Sequence, residues 1–260
     1  MKRFLSVAAA VMLSIPAFCA VEFANFQEFY KAYVAASNKN DYAKICELVS
    51  AWRPKIASEY EAMVCFYAEN RALRMMKKYD EAAKVADNFL AGKISEKNTT
   101  FAYYIKGITL DVKEDYPGAA ECFEKAFANY KLLSESDCKR TTFKLSFLYW
   151  KTQQADKCLE LLNKIIADPK LGDVEAAYYY TTIVLCDTQK HEECEKIAKQ
   201  AMQTVKKPIY LCGIYYAYAS VMFNKENDEE AEKYFKECIK ADPKNWRVKP
   251  AQEKLKELQE

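Results

Sequence analysis

An all-α chain of repeated helical hairpins is predicted by three features of the sequence. Glycine supplies 5 of 260 residues and proline 7, too few for the tight turns of a many-stranded β fold. Apolar residues recur at helical spacing: Tyr215, Tyr218, Ala219 and Met222 stand at i, i+3, i+4 and i+7, on one face. The hairpin pattern then repeats. Aligned on the start of the second helix, the units fall at Ile45, Ala82, Ala119, Cys158, Cys194 and Ala231, in steps of 37, 37, 39, 36 and 37 residues. With 51% apolar residues the chain can bury a core, so disorder is not expected.

The elements follow in chain order. Lys2 and Arg3 precede an apolar run from Phe4 to Phe18, and small residues follow, which is the pattern of a secretory signal peptide over residues 1–20. Cleavage fits after Ala20 or after Cys19. A membrane anchor would need about 20 apolar residues, more than this Pro16-interrupted run offers. Lipidation at Cys19 is the other alternative, disfavoured by bulky Phe18 before it. Cleavage after Ala20 leaves 37 basic and 37 acidic residues. A neutral exported chain has no basic stripe for nucleic acid and no attraction to anionic lipid, and no stable membrane insertion is expected after cleavage.

Residues 21–245 hold the six units. The last is the clearest: the first face ends at Met222, a polar turn follows over residues 224–227, and Asn227 or Asp228 can cap the second helix. That helix presents Ala231, Tyr234, Phe235, Cys238 and Ile239, and Pro243 ends it. Upstream, Tyr103, Gly107 and Leu110 lead through a turn to Ala119, Phe123 and Ala126. Residues 246–260, rich in Lys and Glu, read as a solvated capping helix.

The units resemble tetratricopeptide (TPR) repeats over about residues 23–245. The resemblance rests on Tyr215, Tyr218, Ala219, Met222, Ala231, Phe235, Cys238 and Pro243, on the matching positions of the third unit, and on Lys78 to Ala82 in the second. It implies an all-α, right-handed solenoid. Tyr33 and Asn70 stand at the close-contact position where a small residue is usual, and a period above the family's 34 residues implies longer helices or turns. The resemblance also implies binding of a protein or peptide on the concave face.

One position of each first helix is aromatic in all six units: Tyr30, Tyr67, Tyr104, Phe143, Tyr179 and Tyr216. Its predecessor matches the family's core position, and adjacent helical residues point about 100° apart, so the aromatic ladder is expected either in the groove or against the next repeat. Arg71, Arg74, Ile108, Asp111, Phe147 and Trp150 share the groove face. The Lys and Asn clamp of chaperone-tail-binding members is absent: the second of its two places holds Val34, Arg71, Ile108, Phe147, Ile183 and Ser220.

Ten cysteines become nine after cleavage, an odd number that leaves one thiol unpaired. Cys158, Cys194 and Cys238 take the place of small core residues. Because Ala219 faces Ala231 across the last hairpin, Cys212 is expected to face Cys238 at disulfide range. Cys158 and Cys194 hold equivalent places in neighbouring units and are not expected to bond. Cys186, His191 and Cys194 lack a fourth ligand and the usual zinc spacing, so no metal or other cofactor is expected. With one histidine and no glycine-rich phosphate loop, no enzyme is expected. In a eukaryotic secretory setting, Asn98-Thr99-Thr100 is a glycosylation acceptor. The expected role is a non-catalytic exported scaffold, periplasmic or secreted, holding a protein or peptide partner on its aromatic groove. An envelope polysaccharide on the same rings, or a homodimer burying them, is the alternative.

Overall fold

The computed structural model describes residues 22–260, so the proposed leader, residues 1–20, lies outside the described residues. These form thirteen α-helices and no strand. The helices pair in sequence, α1 (Phe26–Asn38) with α2 (Tyr42–Trp52) and α5 (Glu96–Val112) with α6 (Tyr116–Ala128), while between these pairs α3 (Glu59–Met75) is followed in the chain by α4 (Tyr79–Leu90). Then come α7 (Glu135–Lys151) with α8 (Ala155–Ala167), α9 (Val174–Asp187) with α10 (His191–Thr204), and α11 (Pro208–Asn224) with α12 (Asp228–Ala241). A final helix, α13 (Val248–Glu257), follows. Four first helices, α3, α5, α7 and α11, run 17 residues, which lengthens the period.

Every hairpin turns on the same local geometry. Asn40, Lys77, Glu114, Gln153, Gln189 and Glu226 have φ between 55° and 68°, and none is glycine. Their spacing reproduces the steps of 37, 37, 39, 36 and 37 residues. The amide after each donates to a carbonyl five residues back, from Asp41 to Ala36 through Asn227 to Met222, at 2.7–3.0 Å. A second bond runs from each left-handed residue to the carbonyl three back. These two bonds satisfy orphan carbonyls at the helix end and offset the roughly 1–2 kcal/mol that a left-handed L-residue costs. The next residue caps the following helix where its side chain allows: Asp41, Asp115 and Asn227 accept from the amides of Lys44, Gly118 and Glu230, whereas Gln154 and Lys190 make no such bond.

The chain divides into residues 1–81 and 82–260, with α4 crossing from one unit to the other. In the first, Phe23, Phe29, Ile45, Leu48, Val49, Trp52, Cys65 and Ala68 form one buried cluster. Trp52 stacks on Phe29 with ring centroids 5.8 Å apart. Asn70 takes the close-contact position fully buried, its amide oxygen accepting from Arg74 Nε at 3.0 Å, while Tyr33 is half-buried and stacked on Phe29.

In the second unit the small-residue code is met. Ala119, Phe123, Ala126, Cys158, Leu162, Ile165, Cys194, Ala198, Ala201, Ala231, Phe235 and Cys238 are all buried. Gly107 is needed where it stands: a Cβ there would lie 3.0 Å from the Phe123 ring. Helix α13 packs on α12, with Ala251 buried and Lys254 Nζ 4.5 Å from the Phe223 ring centroid, so the last helix is seated on one face.

Candidate functional site

Helix α7 carries two stripes. Leu145 and Leu148 point into the core with Thr141 and Thr142, and the Thr142 hydroxyl donates to the Leu171 carbonyl. Arg140, Phe143, Phe147 and Trp150, at i, i+3, i+7 and i+10, form the other stripe. Helix α9 offers Ala176, Ala177, Tyr180, Ile183 and Val184 on its facing side. Between them lies a cavity of about 350 Å³, floored by Cys158, Leu162 and Ile165 of α8 and closed at one end by Tyr210. That volume is at the lower end of the ~300–1,000 Å³ of ligand pockets.

The walls are apolar and aromatic. Phe143 is 44% exposed and meets Tyr180 edge to face at 5.7 Å; Trp150, 36% exposed, meets Phe147 at 6.2 Å. Polar groups stand at the rim. Lys139 pairs with Glu135, and Asp173 pairs with Lys207 while capping α9. Arg140 donates to the Tyr104 hydroxyl at 3.1 Å and forms no ion pair among the described residues. Burial pushes the Asp187 carboxyl pKa upward, against the lowering influence of the nearby Trp150 indole. In the floor, the Cys158 thiol donates to the Ser146 carbonyl at 3.2 Å, and burial pushes its pKa up to about 12.

The ladder does not stay together. Phe143 lines the cavity, with Phe147, Trp150 and Ile183 of the same predicted face. Tyr104 corrects the expectation of a groove ring: it is 2% exposed, packed on Phe123 and Phe101. Tyr179 lies against α11 instead of lining the cavity. Its ring sits over Gly213, where a Cβ would come within 2.3 Å, stacks on Tyr210 at 5.4 Å, and receives a bond from Arg247 at 2.8 Å. Tyr216 is half-buried against Phe235. In the first unit Tyr30 is 41% exposed beside Phe26 and Tyr33, and Tyr67 is half-buried. Arg71 donates to the Ser37 hydroxyl at 3.3 Å and Arg74 to Asn70, so both are engaged locally. Asp111 pairs with Lys144 at 2.6 Å.

Tyr180, Tyr210 and Arg140 line the cavity without having been singled out by the repeat pattern. The run Tyr178-Tyr179-Tyr180 held the signal for the first: three consecutive helical residues span about 200°, so the rings cannot share one face. Cys212 and Cys238 are brought together across the last hairpin as expected, with their sulfurs 3.3 Å apart. No group of three His, Cys, Asp or Glu side chains placed to hold a metal occurs among the described residues. No helix among them is long and apolar enough to cross a membrane.

No protein-family model matches the sequence, and no curated protein does. Solved structures do. MamA superposes with a TM-score of 0.57 over 73% of this chain and 95% of its own, at 17% identity. YrrB, described as a TPR protein with an unusual peptide-binding site, gives 0.55 over 73% and 91%, at 19% identity. At such identities the likeness is one of fold, and the fold is that of tetratricopeptide-repeat proteins.

Proposed function

We propose that this TPR-fold chain is a non-catalytic scaffold that holds a protein partner through the cleft between α7 and α9. The observation that carries the reading is the apolar cavity of about 350 Å³ with Phe143 and Trp150 left 44% and 36% exposed at its mouth. Large aromatic rings around a concave apolar site are the usual composition of an interaction hot spot. A bulky apolar side chain of a peptide or helix enters the cleft, and Arg140 at the rim, which bonds the Tyr104 hydroxyl and no carboxylate among the described residues, favours an acidic neighbour on that partner. YrrB, a protein of the same fold, is described as having a peptide-binding site, which supports the class of ligand.

A non-catalytic role is supported by the chemistry of the walls. The only nucleophile in the floor, Cys158, is held protonated by burial, and His191 is not among the lining residues. Export, to a periplasm or outside the cell, rests on the sequence of residues 1–20.

Selection from a displayed library of random 12-residue peptides tests the reading. Wild-type protein is expected to enrich sequences with a recurring Trp, Phe or Leu, and the Phe143→Ala, Trp150→Ala double variant to lose that enrichment while remaining helical by circular dichroism. Equal enrichment by both proteins overturns the cleft as the binding site. Enrichment by neither, with retention of envelope polysaccharide by the wild type alone, assigns the same rings to a glycan instead.

A further inference from the structure

Among the buried thiols described, Cys158 and Cys194 repeat one arrangement. Each donates to a carbonyl twelve residues earlier in its own hairpin, Ser146 at 3.2 Å and Thr182 at 3.4 Å. Backbone meets the polar needs of Cys158, and Cys194 also interacts with the Cys186 thiol, which raises its pKa. Cys212 and Cys238 differ: each is fully buried, they lie 26 residues apart in sequence, and the hydrogen-bonding partner of each sulfur is the other, at 3.3 Å. They sit on opposite helices of one hairpin, Cys212 in the second turn of α11 and Cys238 in the last turn of α12. That is the open end of the hairpin, away from the left-handed turn at Glu226. A disulfide has its sulfurs about 2.05 Å apart, so bonding draws these two sulfurs closer by about an ångström.

We propose that Cys212 and Cys238 form a dithiol site that closes to a disulfide by exchange with a disulfide-bearing oxidant, stapling the open end of the last hairpin. The chemistry is a two-step thiol–disulfide exchange. The Cys212 thiolate attacks one sulfur of the oxidant's disulfide, forming a mixed disulfide and releasing the other sulfur as a thiol that takes up the proton Cys212 lost. The Cys238 thiolate then attacks the Cys212 sulfur, forming the internal bond and releasing the second oxidant thiol, which takes the Cys238 proton. Two protein thiols are oxidised by two electrons, and one oxidant disulfide is reduced to two thiols.

Attack by either thiol first gives the same product. In the folded hairpin the contact with Cys238 draws the Cys212 pKa below the usual thiol value, and the same contact with burial raises that of Cys238. Because both side chains are fully buried, exchange takes place while α11 and α12 are apart, during folding or a local opening. An exported chain folds where such oxidants are present. The staple does not depend on the cleft between α7 and α9.

The full chain, refolded from denaturant in a mixture of reduced and oxidised glutathione, tests this. Free thiols are blocked with N-ethylmaleimide, and the digest is mapped by mass spectrometry. The expected product links the Cys212 and Cys238 peptides, and its melting temperature falls by about 5–10 °C on reduction. In Cys238→Ala the reductant-dependent shift disappears. Wild-type protein in which both cysteines carry the blocking group, or in which Cys212 is joined to Cys186 or Cys194, overturns the proposal. The wild-type map decides the matter even if the variant does not fold.

Discussion

Two junctions between successive first helices use the same backbone plan and end in opposite states. At the α9/α11 junction Tyr179 lies over Gly213, stacks on Tyr210 and is covered by the Arg247 guanidinium, 5.4 Å from its ring centroid. One repeat earlier the corresponding residues are Phe143 for Tyr179, Ala176 for Gly213 and Asp173 for Tyr210. There a cavity of about 350 Å³ remains and Phe143 is 44% exposed. The α9/α11 seat exists because Gly213 has no Cβ: one built there would stand 2.3 Å from a Tyr179 ring carbon. At the corresponding place Ala176 carries that methyl, and a carboxylate replaces the ring that would stack from above. A glycine and a tyrosine close one junction; an alanine and an aspartate accompany an open cavity at the other.

The largest expected effect breaks the open side of this comparison. Phe143→Ala with Trp150→Ala is expected to lower affinity for a selected peptide by about 100-fold, since hot-spot rings contribute 2 kcal/mol or more each and act non-additively. Isothermal calorimetry reads the loss, and a change below threefold contradicts the cleft as the binding site. Next, Gly213→Ala attacks the closed side. Alanine gains about 1 kcal/mol of helix propensity, but overpacking against Tyr179 costs about 1–3 kcal/mol. Chemical denaturation is expected to show a net loss of about 0–2 kcal/mol, and a stabilised variant would show that the ring yields freely.

The converse change, Ala176→Gly, sharpens the comparison by removing the methyl that keeps α9 from receiving Phe143. Peptide affinity is expected to fall about five- to tenfold, on the order of 1 kcal/mol; unchanged affinity would mean that the methyl does not hold the cleft open. A smaller effect is expected from Arg140→Gln, about threefold, confined to acidic peptides and to low salt, because an exposed ion pair contributes about 0–1 kcal/mol. Smallest of all for binding is Gln154→Asp. It supplies the cap that α8 lacks and is expected to stabilise the chain by about 0.5–1 kcal/mol with the cleft unaltered. A loss of peptide affinity in that variant would tie the cleft to the α7–α8 turn.

Much of the fold was legible because it is local and periodic. The repeat steps read from core residues reappear in the left-handed turn residues, from Asn40 to Glu226. The polar turn over residues 224–227 was legible, but the left-handed conformation at the turns was not, since Asn, Lys, Glu and Gln occupy positions where glycine would have announced it. Six repetitions of the same pair of backbone bonds make those conformations tolerable. The site was half legible. Phe143, Phe147, Trp150 and Ile183 fell on the predicted face and do line the cleft. Tyr104 and Tyr179 obeyed the same pattern and are packed instead, one on Phe123 and the other over Gly213. Tyr180 lies one residue off the ladder, outside the repeat code altogether.

The sequence by itself determined the helices, their caps, their register and the nearness of Cys212 to Cys238, because each depends on residues joined through one hairpin. Only the tertiary structure decided which aromatic ring is packed away and which lines an open cleft. That choice turns on the height of a single Cβ on the next helix and on what stands above it, 34 residues along the chain from Tyr179 to Gly213. Periodicity places both partners on the right faces, but the separation of two helix surfaces by a methyl group is set by packing, where an ångström separates a stacked ring from an open cleft.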